Sequence, residues 1–428
     1  MLDIRLIREQ PQLVEADLKK RDMPERITEL HELIKLDKQR RELIARVDEL
    51  RAKRNVLTRE VAELKKKGKA VGAKLKAVKS IPDEIEDIEI RLKSLDEKCR
   101  ALLLRLPNIL HKSVPVGKSD EDKVEVRRWG KAPKFDFEPM GHEELALKLN
   151  CLDIERAAKI TGARFYFLKN ELVMLNHAIL RFALDFLVKK DYHPIQPPYM
   201  MRRAPYEGVI DMADFETVMY KLENEDAYLI ATSEHPLVAM HMDETLDASE
   251  LPMRYVGISP CFRTEAGSHG KDTKGIFRVH QFDKVEQIIF CRPEQSWKLH
   301  EELIANSEEV FKALEIPHRI VNVCTGDIGM LAAKKYDLEA WMPVQAQYRE
   351  MCSCSNITDF QARRLGIRWR EGKGKAPIGF VHTLNDTGIA TPRALVAILE
   401  NFQQRDGTVR IPKALRPYTG FKEIAPKA

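Results

Sequence analysis

No apolar run in the 428 residues approaches the ~20 that cross a bilayer, so no membrane-spanning segment is expected. The opening MLDIRLIREQ carries charges where a secretory leader has its apolar stretch, and a cytoplasmic location is expected. Cysteine is scarce: seven residues and no C-x-x-C pair argue against a disulfide framework and for reduced thiols. Cys352 and Cys354 stand one residue apart, a poor spacing for a zinc site. Neither a Ser–His–Asp nor a Cys–His set stands out, so nothing asks for a protein nucleophile. Charge of one sign is in only slight excess, and the formal net charge of +5 permits a polyanionic partner without demanding one. What is present is a globular but charge-rich chain, 32% Asp, Glu, Lys and Arg. It is long enough for two or three domains of roughly 100–200 residues each.

The N-terminal part is patterned as a rod folded back on itself. Between Ile27 and Leu64, Leu36, Leu43, Leu50, Leu57 and Leu64 recur every seven residues, with Val47 and Val61 between them and no proline. Gly68 and Gly72 mark a turn. A second run then carries Ile81, Ile85, Ile88, Leu92, Leu95, Cys99, Leu102 and Leu106 at steps of four and three, and Pro107 ends it. Both runs have the seam of a coiled coil. Two such helices with a short connection fold as an antiparallel hairpin, expected over about residues 27–106. At 1.5 Å per residue, ~35–40 helical residues reach about 55–60 Å. The expected tip is basic, with Lys65, Lys66, Lys67, Lys69, Lys74, Lys76 and Lys79 around the turn and Arg51, Lys53, Arg54 and Arg59 below it. Acids line the second helix (Asp83, Glu84, Glu86, Asp87, Glu89), as on an ordinary solvated surface. A rigid rod with a positive tip suits a phosphate backbone rather than base reading. On composition alone, a coiled coil that docks another protein is an equal reading.

After the rod, mixed helices and short strands follow. The densest chemistry lies in CFRTEAGSHGKDTKGIFRVHQFDKVEQ, Cys261 to Gln287. Two strand-like runs flank a polar, Gly-containing loop. Strand side chains alternate faces, so Arg263 and Glu265 share one face, as do Phe282, Lys284 and Glu286 on the return strand. If the strands pair, a cation, a stacking ring and fixed acids converge, a set suited to a nucleotide beside a small amine. An exposed hairpin with scattered charges is the plainer alternative.

The runs FRTEAG and RVHQFDKVE resemble motif 2 of class II aminoacyl-tRNA synthetases, specifically of the seryl-tRNA synthetase family. The resemblance extends along the chain in order. MLDIRLIREQPQLVEADLKKR resembles that family's N-terminus and LPNILHKSVPVGKSDEDKVEVRRWG its connector. YHPIQPPYMMRRA resembles motif 1, a dimer-forming element; VNVCTGDIGMLAAKKYDLEAWMP and REMCSCSNITDFQARR resemble the catalytic core; and LNDTGIATPRALVAILENFQ resembles motif 3. The resemblance implies an α+β protein. A tRNA-binding domain with the coiled-coil arm would occupy residues 1–120, and a catalytic domain on an antiparallel sheet flanked by helices would occupy residues 121–428.

It also implies site residues. Arg263 would clamp the α-phosphate of ATP and the reacting carboxylate, with Thr264 beside it. Glu265 would accept from the adenine amino group, Phe282 would stack on adenine, and Val279 would contact the nucleotide. Thr232, Ser233 and Glu234 form the serine-binding Thr-x-Glu element, although Ser233 and Glu234 serve equally well as a helix start, and Ser233 should face away. Glu286, Asn385 and Thr387 complete the serine side, while Asn385-Asp386 is also a good turn signal. Glu350 and Ser353 would hold Mg²⁺ with Met351 and Cys352 between them. A strict strand puts those two ligands on opposite faces, so a bulge is expected. Thr391-Pro392 reads as a helix cap, and Arg393 in the first turn needs an anion there, named by the resemblance as the γ-phosphate. The catalytic set is then Arg263, Glu286 and Arg393.

The arm residues Arg51, Lys53, Arg54, Lys65, Lys66, Lys67, Lys69, Lys74 and Lys76 would grip the long variable arm of tRNA(Ser). Selenocysteine tRNA is left open as a second substrate. The implied partners are tRNA(Ser), L-serine, ATP and a second copy of the chain, with no DNA and no membrane. No zinc is expected, because the extra cysteine arrangement of the zinc-binding form is missing. Two alternatives stand beside this reading. A paralogue that loads a protein carrier would not need so long a rod. A dead synthetase core would not need to retain Arg263, Glu265, Glu350, Ser353 and Arg393 together.

Overall fold

A computed structural model describes residues 1–211, 217–265 and 275–426 of the chain. The contacts divide it into two compact units, Met1–Pro107 and Asn108–Ala428.

The first unit is helical. After short helices at Ile4–Glu9 and Pro11–Lys20, helix α1 (Pro24–Lys66) and helix α2 (Gly72–Arg105) form a hairpin. Gly68, at φ +66°, takes the left-handed turn conformation that glycine adopts without steric cost. At 1.5 Å per residue, the 43 residues of α1 extend about 65 Å. The seam buries Val47, Leu50, Ile81, Ile85 and Ile88, with Leu43, Leu57 and Leu92 packed at its edge. Cross-helix pairs fix the antiparallel register: Glu29 meets Arg105, Arg40 meets Asp96, Arg46 meets Glu84 and Glu60 meets Lys74. Pro82 sits inside α2, ten residues from its start, where it removes one backbone hydrogen bond of the helix.

The second unit is built on an eight-stranded sheet: β1 Val124–Trp129, β2 His193–Ile195, β3 Met253–Phe262, β4 Gln281–Cys291, β5 His318–Asn322, β6 Lys334–Met342, β7 Gln347–Thr358 and β8 His382–Ala390. Their spatial order is β1-β5-β6-β7-β8-β4-β3-β2. Every pair is antiparallel except β2 with β3. Helix α3 (Glu171–Val188), helix α4 (Ser296–Ala313) and helix α5 (Thr391–Phe402) flank it. The fold is therefore α+β, a long helical hairpin followed by a mostly antiparallel sheet with flanking helices.

The connector residues 108–120, placed with the first domain on sequence grounds, make their contacts in the second unit. Asn108 Nδ2 donates to the carbonyls of Leu331 and Ile357.

Alternation in the central strands sorts side chains by face. Val285 and Gln287 of β4 and Leu384 and Asp386 of β8 are completely buried in the layer behind the sheet. There Gln287, Asn306, Ser307 and Asp386 satisfy one another at 2.6–3.1 Å. The alternate residues, Phe282, Lys284, Glu286, Asn385 and Thr387, line a cavity on the other face. Asn385-Asp386, readable from sequence as a turn, lies in mid-strand because both neighbouring strands pair with it.

Candidate active site

The cavity has a volume of about 460 Å³, within the range usual for small-molecule and cofactor sites. Strands β3 and β4 pair as the expected hairpin, with Cys261 opposite Phe282, and Arg263 N donates to the His280 carbonyl at 2.9 Å. The polar loop between them, residues 266–274, lies outside the described residues.

One end of the cavity is cationic and aromatic. The Arg263 guanidinium lies 5.3 Å from the Phe282 ring centroid, and its Nε donates to the Ala231 carbonyl. Glu265 pairs with Arg278 at 3.1 Å, an interaction that reading the strands alone had not suggested. Val279 also lines the wall and is nearly fully buried. Thr264 does not line it: its hydroxyl donates to the Thr217 carbonyl instead.

A second group sits on β7 and α5. The pairing of β6 with β7 slips at Met351, so that Leu338 faces Cys352 while Glu339 faces Glu350. This one-residue bulge places Glu350 and Ser353 on the same face. Both line the cavity together with Met351, whereas Cys352 turns into the core, outside the lining. Cys352 was expected in the nucleotide site, and the bulge is the physical reason it leaves it. Arg393 Nη1 donates to the Glu350 carbonyl at 2.8 Å and reaches its carboxylate at 3.4 Å. Its guanidinium also stacks over Phe277 at 5.2 Å. Burial opposes the Glu350 charge, but Arg393, Lys335, Lys123 and Arg263 together hold its carboxyl below the usual range. Helix α5 begins at Thr391 itself, with Ala390 in the cap position and no side-chain cap bond, one residue earlier than the expected threonine cap.

The third group is a polar nest. Glu286 Oε2 contacts Lys284 Nζ and accepts from the Thr387 hydroxyl at 3.1 Å. Lys284 Nζ lies 3.4 Å from the same hydroxyl. Across from them, Glu234 Oε1 accepts from Asn385 Nδ2 and Gln361 Nε2, both at 3.1 Å. Burial, reinforced by Glu286, pushes the Glu234 carboxyl up to about 7. The Thr232 hydroxyl accepts from the Glu234 N–H at 3.2 Å. Ser233 is fully buried and lies outside the cavity lining; a Cβ at Gly257 would come within 2.6 Å of its hydroxyl. Next in the chain, His235 is buried, and desolvation aided by Lys284 and Arg263 lowers its pKa to about 3. The neutral ring pairs with the Tyr206 hydroxyl at 2.9 Å.

Of the residues singled out from sequence, the cavity thus gathers Arg263, Glu265, Val279 and Phe282; Thr232, Glu234, Glu286, Asn385 and Thr387; and Glu350, Met351, Ser353 and Arg393. Ser233, Thr264 and Cys352 stand outside it. Lys284 was legible as a face-mate of Glu286, but no role for Gln361, His235 or Tyr206 was legible.

On the arm, Lys53, Lys65, Lys66, Lys67, Lys69 and Lys76 are exposed, and Arg54 is half-buried. Arg51 and Lys74 are already paired within the hairpin, with Glu89 at 2.9 Å and Glu60 at 2.5 Å.

No helix of the described residues is long and apolar enough to cross a membrane.

Residues 1–110 match the family model of the seryl-tRNA synthetase N-terminal domain. Residues 217–402 match that of the tRNA synthetase class II core domain (G, H, P, S and T). A serine–tRNA ligase of Thermococcus sibiricus is 53% identical over all of this chain and 98% of its own. The crystal structure of seryl-tRNA synthetase from Pyrococcus horikoshii complexed with ATP superposes with a TM-score of 0.97 at 51% identity, over the whole of both chains. That of a cytoplasmic serine–tRNA ligase from Naegleria fowleri in complex with AMP gives 0.91 at 35% identity, over all of this chain and 99% of that one. The chain belongs to the seryl-tRNA synthetase family of class II aminoacyl-tRNA synthetases.

Proposed function

We propose that the protein is a serine–tRNA ligase that attaches L-serine to tRNA(Ser) at the expense of ATP, working in the cytoplasm as a homodimer. One observation carries this reading. A single cavity sets a carboxylate nest, Glu234 and Glu286, beside a cation-and-ring site, Arg263 with Phe282. The first suits a small amino acid bearing an ammonium and a hydroxyl. The second suits a purine nucleotide and its phosphate.

In the first step the serine carboxylate oxygen attacks the α-phosphorus of ATP, and pyrophosphate leaves. Seryl-adenylate results. In the second, the 3′-terminal hydroxyl of the tRNA attacks the adenylate carbonyl, and AMP leaves. Arg263 places positive charge where it builds up on the α-phosphate, and Arg393 does the same toward the leaving pyrophosphate. Phe282 and Glu265 hold the base, and Val279 closes against it. Glu234 takes the substrate ammonium, while Glu286 with Thr387 reads the hydroxyl. Positioning and electrostatics suffice, so no protein nucleophile is needed.

Glu350 and Ser353 fit Mg²⁺: a carboxylate held ionised and a hydroxyl share one face through the Met351 bulge, and both are hard oxygen donors. When bound there, the ion would neutralise polyphosphate charge. The exposed lysines of the arm support contact with the phosphate backbone of tRNA(Ser), and tRNA(Sec) remains a second RNA to try.

Serine-dependent exchange of labelled pyrophosphate into ATP tests the reading. Exchange with serine and without RNA is the expected result. Exchange with a different amino acid alone, or with none, defeats it.

A further inference from the structure

Behind the nest stands Gln361, which lies in the core-like run REMCSCSNITDFQARR but was given no role there. It lies on the short helix Phe360–Leu365, is completely buried, and stands outside the cavity lining. Its side-chain amide nevertheless makes three hydrogen bonds. The Thr383 hydroxyl donates to Gln361 Oε1 at 2.7 Å. Gln361 Nε2 donates to the Val209 carbonyl and to Glu234 Oε1, each at 3.1 Å. Reversing the amide would set its oxygen against a carbonyl and a carboxylate at once, so only one orientation satisfies all three partners. Asn385 Nδ2 donates to the same Glu234 oxygen. Glu234 Oε1 is therefore saturated by two neutral donors, while Oε2 has no hydrogen bond among the described residues.

We propose that Gln361 is a positioning residue for the amino acid: fixed by Thr383, it orients the Glu234 carboxylate, keeps it ionised, and leaves Oε2 to receive the substrate ammonium. The inference rests on the activity proposed above. Glu234 is half-buried and makes no ion pair among the described residues. The charged groups that act on it are Glu286, which disfavours its charge, and Lys284 and Arg263, which favour it; the adjacent His235 is neutral. Without Gln361, the carboxyl loses one of its two donors, and its protonated form gains ground. A neutral Glu234 cannot pair with an ammonium, so serine binding weakens at the pH where protonation sets in.

The experiment is the pH dependence of the serine KM in pyrophosphate exchange. The wild-type KM should rise as pH falls through about 7, where the Glu234 carboxyl titrates. In Gln361→Met, which keeps length and removes the donor, that limb should move up by about one pH unit. The serine KM should rise about fivefold near pH 7, where a one-unit shift lowers the ionised fraction from about one half to about one eleventh, and recover at about pH 9. The KM for ATP and kcat should stay within about twofold. Thr383→Val frees the amide to turn, and should move the limb the same way by less; it also reads the proposal if Gln361→Met fails to fold. A merely structural role would raise both substrates' KM values, or lower kcat, equally at every pH. A limb that stays put in either soluble variant overturns the proposal, and so does a wild-type serine KM without an acid limb between about pH 6 and 8. Wild-type protein with no serine-dependent exchange at any pH would instead defeat the activity itself.

Discussion

The tip of the helical hairpin and the cavity of the sheet both collect charge, and they use it in opposite ways. At the tip, Lys65, Lys66, Lys67 and Lys69 stand exposed around the turn, and their ammonium groups have no ion-pair partner among the described residues. In the cavity, Glu286 is 1% exposed and is held by Lys284 and Thr387, and Glu234 is held by Gln361 and Asn385. Exposed charges screened by salt act as a sum, in which each member is replaceable. Buried ones act through position, and each leaves an unpaired partner when removed. The tip therefore suits a flexible polyanion, and the cavity suits a small molecule read atom by atom.

The sharpest break in that comparison is a single cavity arginine against the whole arm. Arg263→Ala should lower kcat/KM for serine-dependent exchange by about 10²–10³, the scale of one preorganised donor at a developing charge. Excising the hairpin between Ile27 and Leu106 and rejoining the ends should leave exchange within a few-fold of wild type. Charging of tRNA by the same protein should fall sharply. Rapid exchange by Arg263→Ala, or unimpaired charging by the arm-deleted protein, would show that charge is not divided between the two regions in this way.

The two regions also differed in how far sequence reasoning reached them. The hairpin is local: a seven-residue repeat of Leu43, Leu50 and Leu57 specifies its seam, and a glycine its turn, so it was readable almost to its ends. Within the cavity, period-2 alternation placed Phe282, Lys284 and Glu286 correctly, and it also required the bulge that joins Glu350 to Ser353. Adjacency in a motif does not bring Thr264 and Cys352 into the cavity lining, because the Thr264 hydroxyl turns to the Thr217 carbonyl and Cys352 faces the core. Gln361 lay within a core-like run, but its role was invisible because its partners, Val209, Glu234 and Thr383, come from three other segments, and no spacing encodes a bond between residues 127 apart.

A smaller effect sharpens the cavity side. Alanine and glycine are smaller than serine, so no wall excludes them, and only groups left unpaired can refuse them. Thr387→Val keeps the shape and removes the hydroxyl that bonds Glu286. The serine-over-alanine preference in exchange should narrow by roughly 1–3 kcal/mol, the cost of one unmade buried hydrogen bond. Glu286→Gln should damage activation of both amino acids, because it also leaves the buried Lys284 ammonium without its ion-pair partner. An unchanged ratio in Thr387→Val would remove that hydroxyl from substrate selection and leave Glu286 to act without it.

The smallest effect distinguishes lysines and arginines within the arm. Each ammonium that neutralises an RNA phosphate releases counterion, so losing one contact flattens the dependence of log affinity on log salt by about one unit or less. Lys66 is exposed at the turn, whereas Arg51 is already held by Glu89 at 2.9 Å and stands 4.0 Å from Asp48. An RNA phosphate must compete with those carboxylates for Arg51, but not for Lys66. Lys66→Ala should therefore flatten the salt dependence of tRNA(Ser) binding more than Arg51→Ala, with affinity falling by less than about tenfold in either case. Exchange without RNA should be untouched by both. Binding measured from about 50 to 200 mM salt decides the order. If Arg51→Ala flattens the slope more, the ion pairs within the hairpin open on binding, and the charge available to RNA extends down the hairpin well below the turn.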